Sequence, residues 1–144
     1  MRDEPIPDND HITRYCKPMT IVNDDIQASA FMLRITETGL SVNWLEKLEC
    51  SCREDEINQI RNIYNKELSL QLNAKIAVLN VGNTLGKIRA ETPDKRNLRI
   101  VHWPELENDE RDTHSEILNL HHDDEFIAEL ILETVQESYP ARRQ

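Results

Sequence analysis

A chain of 144 residues with a formal net charge of −10, 38% hydrophobic and 31% charged residues, has the length of about one domain and a thin apolar core under a heavily charged surface. A field of that sign repels phosphate, which disfavours direct binding to nucleic acid or to an anionic membrane surface and suits solubility or docking on a basic protein. No apolar run approaches the length of a membrane span, the start MRDEPIPDND has no hydrophobic leader, and Cys16, Cys50 and Cys52 are an odd set that reads as reduced thiols, so the expected location is cytoplasmic.

Residues 1–10 mix Pro5, Pro7 and acids and read as a flexible N-terminal arm. HITRYC at 11–16 is cut off by Lys17-Pro18 and fits a short edge strand or an extended lead-in. After the turn cluster Asn23-Asp24-Asp25, residues 28–35 (ASAFMLRI) and 40–45 (LSVNWL) read as an antiparallel pair with Gly39 in the link. In the second of these, Leu40, Val42 and Trp44 alternate with Ser41 and Asn43.

Ser51-x-x-Glu54 is a capping box, and Glu54, Asp55 and Glu56 suit the positive end of a helix dipole. Ile57, Ile60, Ile63, Tyr64 and Leu68 recur at helical spacing, so a helix runs to just before Asn73. KIAVLNVG at 75–82 is the most compact apolar run and reads as a central strand buried on both faces. Residues 82–90 fit either a turn with a short helix or a bent strand, and 91–97 form a surface loop around Pro93. NLRIVHW at 97–103 alternates Leu98, Ile100 and His102 against Arg99, Val101 and Trp103. An acidic loop (104–113) and an unassigned stretch (114–122) lead to a second helix over 123–139, whose stripe is Phe126, Ile127, Leu130, Ile131, Thr134 and Val135. Residues 140–144 are a basic tail. The order predicts a single α+β domain over 11–139, a small antiparallel or mixed sheet packed against two main helices.

Candidate chemistry is sparse. The run from Gly82 to Lys87 (GNTLGK) has three residues between its glycines where a phosphate-cradling loop needs four, and Ile88 stands where that loop needs Ser or Thr for Mg²⁺. His102, Asp112 and His114 are candidate catalytic residues of a small His/Asp-centred hydrolase, with or without a metal, assisted by His11 or Arg14. No spacing matches a ligand motif such as H-E-x-x-H, and no metal or cofactor is assigned. Cys50-Ser51-Cys52 is one C-x-C without a second pair, and Cys52 falls at a helix start where the dipole favours a thiolate. His11-Ile12-Thr13 matches half of an H-x-T phosphoesterase pair, whose second copy is missing. Arg14, Tyr15, Asn43 and Trp103 sit at predicted strand ends and carry the contact area and polar handles enriched in protein interfaces.

The blocks DHITRYC, LSVNWLEKL, AVLNVG and RIVHWPE, spread over most of the chain, resemble those of short uncharacterised bacterial proteins, and the resemblance implies no named activity. The leading expectation is a binding module, an accessory or regulatory subunit docking on a larger protein through a sheet edge and an aromatic rim. The hydrolase is the competing class, and an acidic inhibitor or nucleic-acid mimic is the third.

Overall fold

The computed structural model describes residues 3–67, 71–105 and 112–142. In chain order the elements are β1 (Glu4–Pro5), β2 (His11–Cys16), the short hairpin of β3 (Ile21–Val22) and β4 (Asp25–Ile26), β5 (Leu40–Trp44), α1 (Arg53–Glu67), β6 (Lys75–Asn80), α2 (Val81–Glu91), β7 (Arg99–His102), β8 (His114–Leu118), α3 (Glu125–Glu133) and β9 (Val135–Pro140). Among the described residues the main sheet has seven strands in the order β1-β7-β8-β5-β2-β6-β9, and every neighbouring pair is antiparallel. The class is α+β, but the sheet is large and, among the described residues, three α-helices flank it, where a small sheet under two helices was expected.

Each departure from expectation has a pairing reason. HITRYC is not an edge strand: β2 lies between β5 and β6 and pairs along its whole length with β6. Residues 28–35 form no strand, because both sides of β5 are taken by β2 and β8. Ala28–Phe31 make a tight 3₁₀ turn instead, which buries Ala30 and Phe31. The helix expected over 123–139 stops at Glu133. Thr134 Oγ1 donates back to the Ile131 carbonyl at 2.7 Å, and the chain then runs out along the free side of β6 as β9. The stretch 82–90 is helical, since Asn80 caps it by accepting the Asn83 N–H at 2.8 Å. Leu68, read as part of the α1 stripe, lies outside the described residues.

β6 is buried on both faces as its composition requires: Ile76, Ala77, Val78 and Leu79 have no solvent exposure. It is nevertheless one strand in from the edge rather than central. Within residues 1–10, β1 pairs with β7, Ile6 is buried, and the Asp8 carbonyl accepts the Gly82 N–H at 2.9 Å.

Alternation along the strands gives the sheet two unlike faces. On one, Ile12, Cys16, Leu40, Val42, Ala77, Leu79, Ile100 and Ile117 meet α2, α3 and the 28–31 turn. On the other, α1 packs Ile57, Ile60 and Tyr64 onto Ile76 and Val78 of β6, with Tyr15 and Tyr139 beside them. The helix thus covers the β2-β6-β9 end of that face. Over β5 and β8 the same face is polar, with Ser41 and Asn43 opposite Glu116 and His114. The border between the covered and the polar halves is where the site lies.

Candidate functional site

β2 and β5 are bridged only at Ile12–Trp44 and Thr13–Asn43, whereas β2 and β6 share six pairs. Where the bridging stops, Arg14 takes over. Its side chain leaves β2 on the side of Ile12 and Cys16, donates Nε to the Ala30 carbonyl at 2.9 Å and Nη1 to the Ser41 carbonyl at 2.9 Å. A guanidinium fork is suited to this because its donors diverge in a fixed plane. Burial lowers the Arg14 pKa, with Cys16, Tyr64 and Glu37 pulling the other way, and the group stays a cation.

The gap so held open is a cleft of about 220 Å³ lined by Arg14, Tyr15, Lys17, Arg34, Glu37, Ser41, Asn43, Tyr64, Glu105 and His114. Three cations meet two carboxylates there, in a chain whose overall charge is −10. Tyr15 and Tyr64 pack ring to ring with centroids 5.4 Å apart. Behind them the Tyr64 hydroxyl lies 3.2 Å from Thr13 Oγ1 and also bonds the side chain of Asn43, whose Oδ1 accepts from Thr113 Oγ1 at 2.8 Å. Burial raises the Tyr64 pKa, while the Thr13 and Asn43 bonds act downward, so the phenol stays neutral and able to donate. This network fixes the buried wall of the cleft.

His114 is oriented by the backbone. Its Nδ1 is 2.8 Å from the Trp103 carbonyl, and a carbonyl only accepts, so Nδ1 carries a proton. In the neutral ring Nε2 is then an acceptor, and it lies 3.3 Å from Ser41 Oγ and 3.4 Å from Glu105 Oε1.

His102 and His114 do not come together. His102 is opposite Ser115 and His114 follows the register of Asn43, so adjacent positions on β8 send the two imidazoles to opposite faces of the sheet. His102 is buried against the Trp44 ring, 5.3 Å between centroids, and donates Nε2–H to the Asp112 carbonyl at 2.6 Å. The Asp112 carboxylate accepts the backbone N–H groups of Glu105 and His114 at 2.8 and 2.9 Å, which shapes the loop ends. His11 is engaged with Glu46 at 2.7 Å and does not line the cleft. Of the four residues expected at an interface, Arg14, Tyr15 and Asn43 converge on the cleft. Trp103 is half-buried and enters the site through its carbonyl. Ser41, Lys17, Arg34, Glu37, Tyr64 and Glu105 were not singled out; the polar alternation of Ser41 and Asn43 within LSVNWL was the available signal for the first of them.

None of the three cysteines lines the cleft. Cys16 is in the core, where burial pushes its pKa up to about 12, and Cys50 is raised by desolvation and then by Glu56 and Asp55. Cys52 is exposed. Among the described residues no group of three or more His, Cys, Asp or Glu side chains is placed to hold a metal ion, and no helix is long and apolar enough to cross a membrane. No family model, curated protein or solved structure matches the chain.

Proposed function

We propose that this is a small cytosolic binding module, an accessory or regulatory subunit that docks on a larger, basic protein and receives one carboxylate of it in the cleft. The observation that carries the reading is the cleft itself, where Arg14, Lys17 and Arg34 gather beside two tyrosines in an otherwise acidic chain. Its volume of about 220 Å³ is below the roughly 300–1,000 Å³ of typical small-molecule sites, so it suits one inserted group of a larger molecule. The acidic surface attracts a basic partner, and the cationic cleft then asks for a single acid at a fixed place on it. Such a pattern gives register and selectivity more than raw affinity.

The test is a titration with a lysine-flanked peptide carrying one central glutamate, run beside the same peptide with glutamine. Tighter binding of the glutamate peptide, with the preference lost in Lys17→Glu and Arg34→Glu, supports the reading. Equal binding of both peptides, or a preference that survives both charge reversals, refutes it.

A further inference from the structure

Ser41 and His114 form a pair that carboxylate binding does not use. A serine hydroxyl becomes a nucleophile when a neutral imidazole nitrogen accepts its proton and a third group holds the ring in the required tautomer. All three parts are present here. Ser41 Oγ is 3.3 Å from His114 Nε2, and the Trp103 carbonyl, 2.8 Å from Nδ1, keeps the proton on the far nitrogen. Both side chains are half-buried and line the same open cleft, so a substrate has access to them. The separation is at the long end for a hydrogen bond, as catalytic contacts are in unliganded sites. Glu105 Oε1, 3.4 Å from Nε2, is placed to stabilise the imidazolium that forms when the proton arrives. Arg14, Lys17 and Arg34 line the same cleft and give it a positive potential that favours a developing oxyanion.

We propose that Ser41 is an acyl-accepting nucleophile, that His114 is its general base, and that the substrate class is small acyl esters. In the first step the Ser41 Oγ–H proton passes to Nε2 while Oγ bonds the ester carbonyl carbon. The carbon–oxygen bond to the alcohol then breaks, and the alcohol leaves with the proton from Nε2. Water, deprotonated by the same nitrogen, adds to the acyl-enzyme; the bond to Oγ breaks, Oγ takes the proton back, and the carboxylic acid is released.

A fluorophosphonate reagent reports on the first step alone: Oγ bonds phosphorus, fluoride leaves, and the serine proton goes to His114. The full chain is treated with it at pH 8 and followed by intact mass and peptide mapping. One adduct on Ser41 is expected, absent in Ser41→Ala and formed about 100-fold more slowly or worse in His114→Gln, the lower end of what a positioned base supplies. p-Nitrophenyl acetate gives an independent readout, with a burst of nitrophenolate equal to the protein present and lost in Ser41→Ala. Ser41 left unlabelled in protein with a native thermal transition overturns the proposal. So does labelling at an unchanged rate in folded His114→Gln. Neither readout needs a partner, so the outcome is separate from that of the peptide titration.

Discussion

Replacing Arg14 separates a structural fork from a simple charge. The guanidinium donates to two carbonyls on different segments, Ala30 in the 3₁₀ turn and Ser41 in β5. A hydrogen bond to a charged group contributes about 1.5–3 kcal/mol net, and a carbonyl left buried without a partner costs about 1–3 kcal/mol. Two such bonds, set against the desolvation that a neutral side chain avoids, give a loss of about 3 kcal/mol for Arg14→Met. At roughly 2–4 °C per kcal/mol for a chain near this size, that lowers Tm by about 6–12 °C. Arg14→Lys keeps the charge but not the diverging donors, so an ammonium reaches one carbonyl and recovers about half of the loss. Urea unfolding followed by tryptophan fluorescence, with far-UV circular dichroism as a second probe, measures both variants. A lysine variant within about 0.5 kcal/mol of the parent would show that charge alone matters. A methionine variant as stable as the parent would show that desolvation of the guanidinium offsets both bonds.

Two glycines of α2 give opposite outcomes on substitution by alanine. At Gly82 a Cβ would stand 2.9 Å from Asp8 Cβ and 3.0 Å from the Asp8 carbonyl oxygen, so Gly82→Ala destabilises by about 1–3 kcal/mol, whereas Gly86 has nothing within 4 Å and Gly86→Ala stabilises by about 0.5–1 kcal/mol; thermal melts of the pair check the contrast. Under native conditions at pH 8, a chromogenic disulfide reagent modifies Cys52, modifies Cys50 more slowly and leaves Cys16 intact until denaturant is added; early loss of the Cys16 thiol would contradict its burial. Burial by itself would raise Asp124, but the Arg96 guanidinium at 2.8 Å and the His121 N–H at 2.7 Å outweigh it and hold the carboxyl below its ordinary value. A depressed carboxylate contributes stability above its unfolded pKa of about 3.9 and loses it as pH falls through the folded value, so the stability gap between the parent and Asp124→Asn closes below about pH 4 in acid titrations.

Periodicity makes parts of the fold legible in the sequence. Ile57, Ile60 and Tyr64 mark the buried stripe of α1, and the unbroken run Ile76–Leu79 marks a strand covered on both faces. Alternation in LSVNWL correctly split β5 into an apolar face and a polar face. Arg14, Tyr15 and Asn43 stood out by residue type and by their place at predicted strand ends, and they line one cleft. What periodicity did not convey was neighbourhood. Residues 28–35 have a respectable strand pattern, but β5, the strand they were expected to join, is paired on both sides. Thr134 and Val135 fit a helix stripe until β6 offers an unpaired edge, and then Val135 pairs with Leu79 as the start of a strand.

The same division holds for the site. Composition settled the sign of the long-range field, and local pattern settled which face of each strand is polar. Only the tertiary structure brought Ser41 of β5 to His114 of β8 and sent His102 through to the other side of the sheet. That outcome depends on strand order and on a one-residue register, and a shift of one residue moves every side chain of a strand to the opposite face. Hydrogen bonds between distant segments fix that register, and they leave no trace in the spacing of residues along the chain.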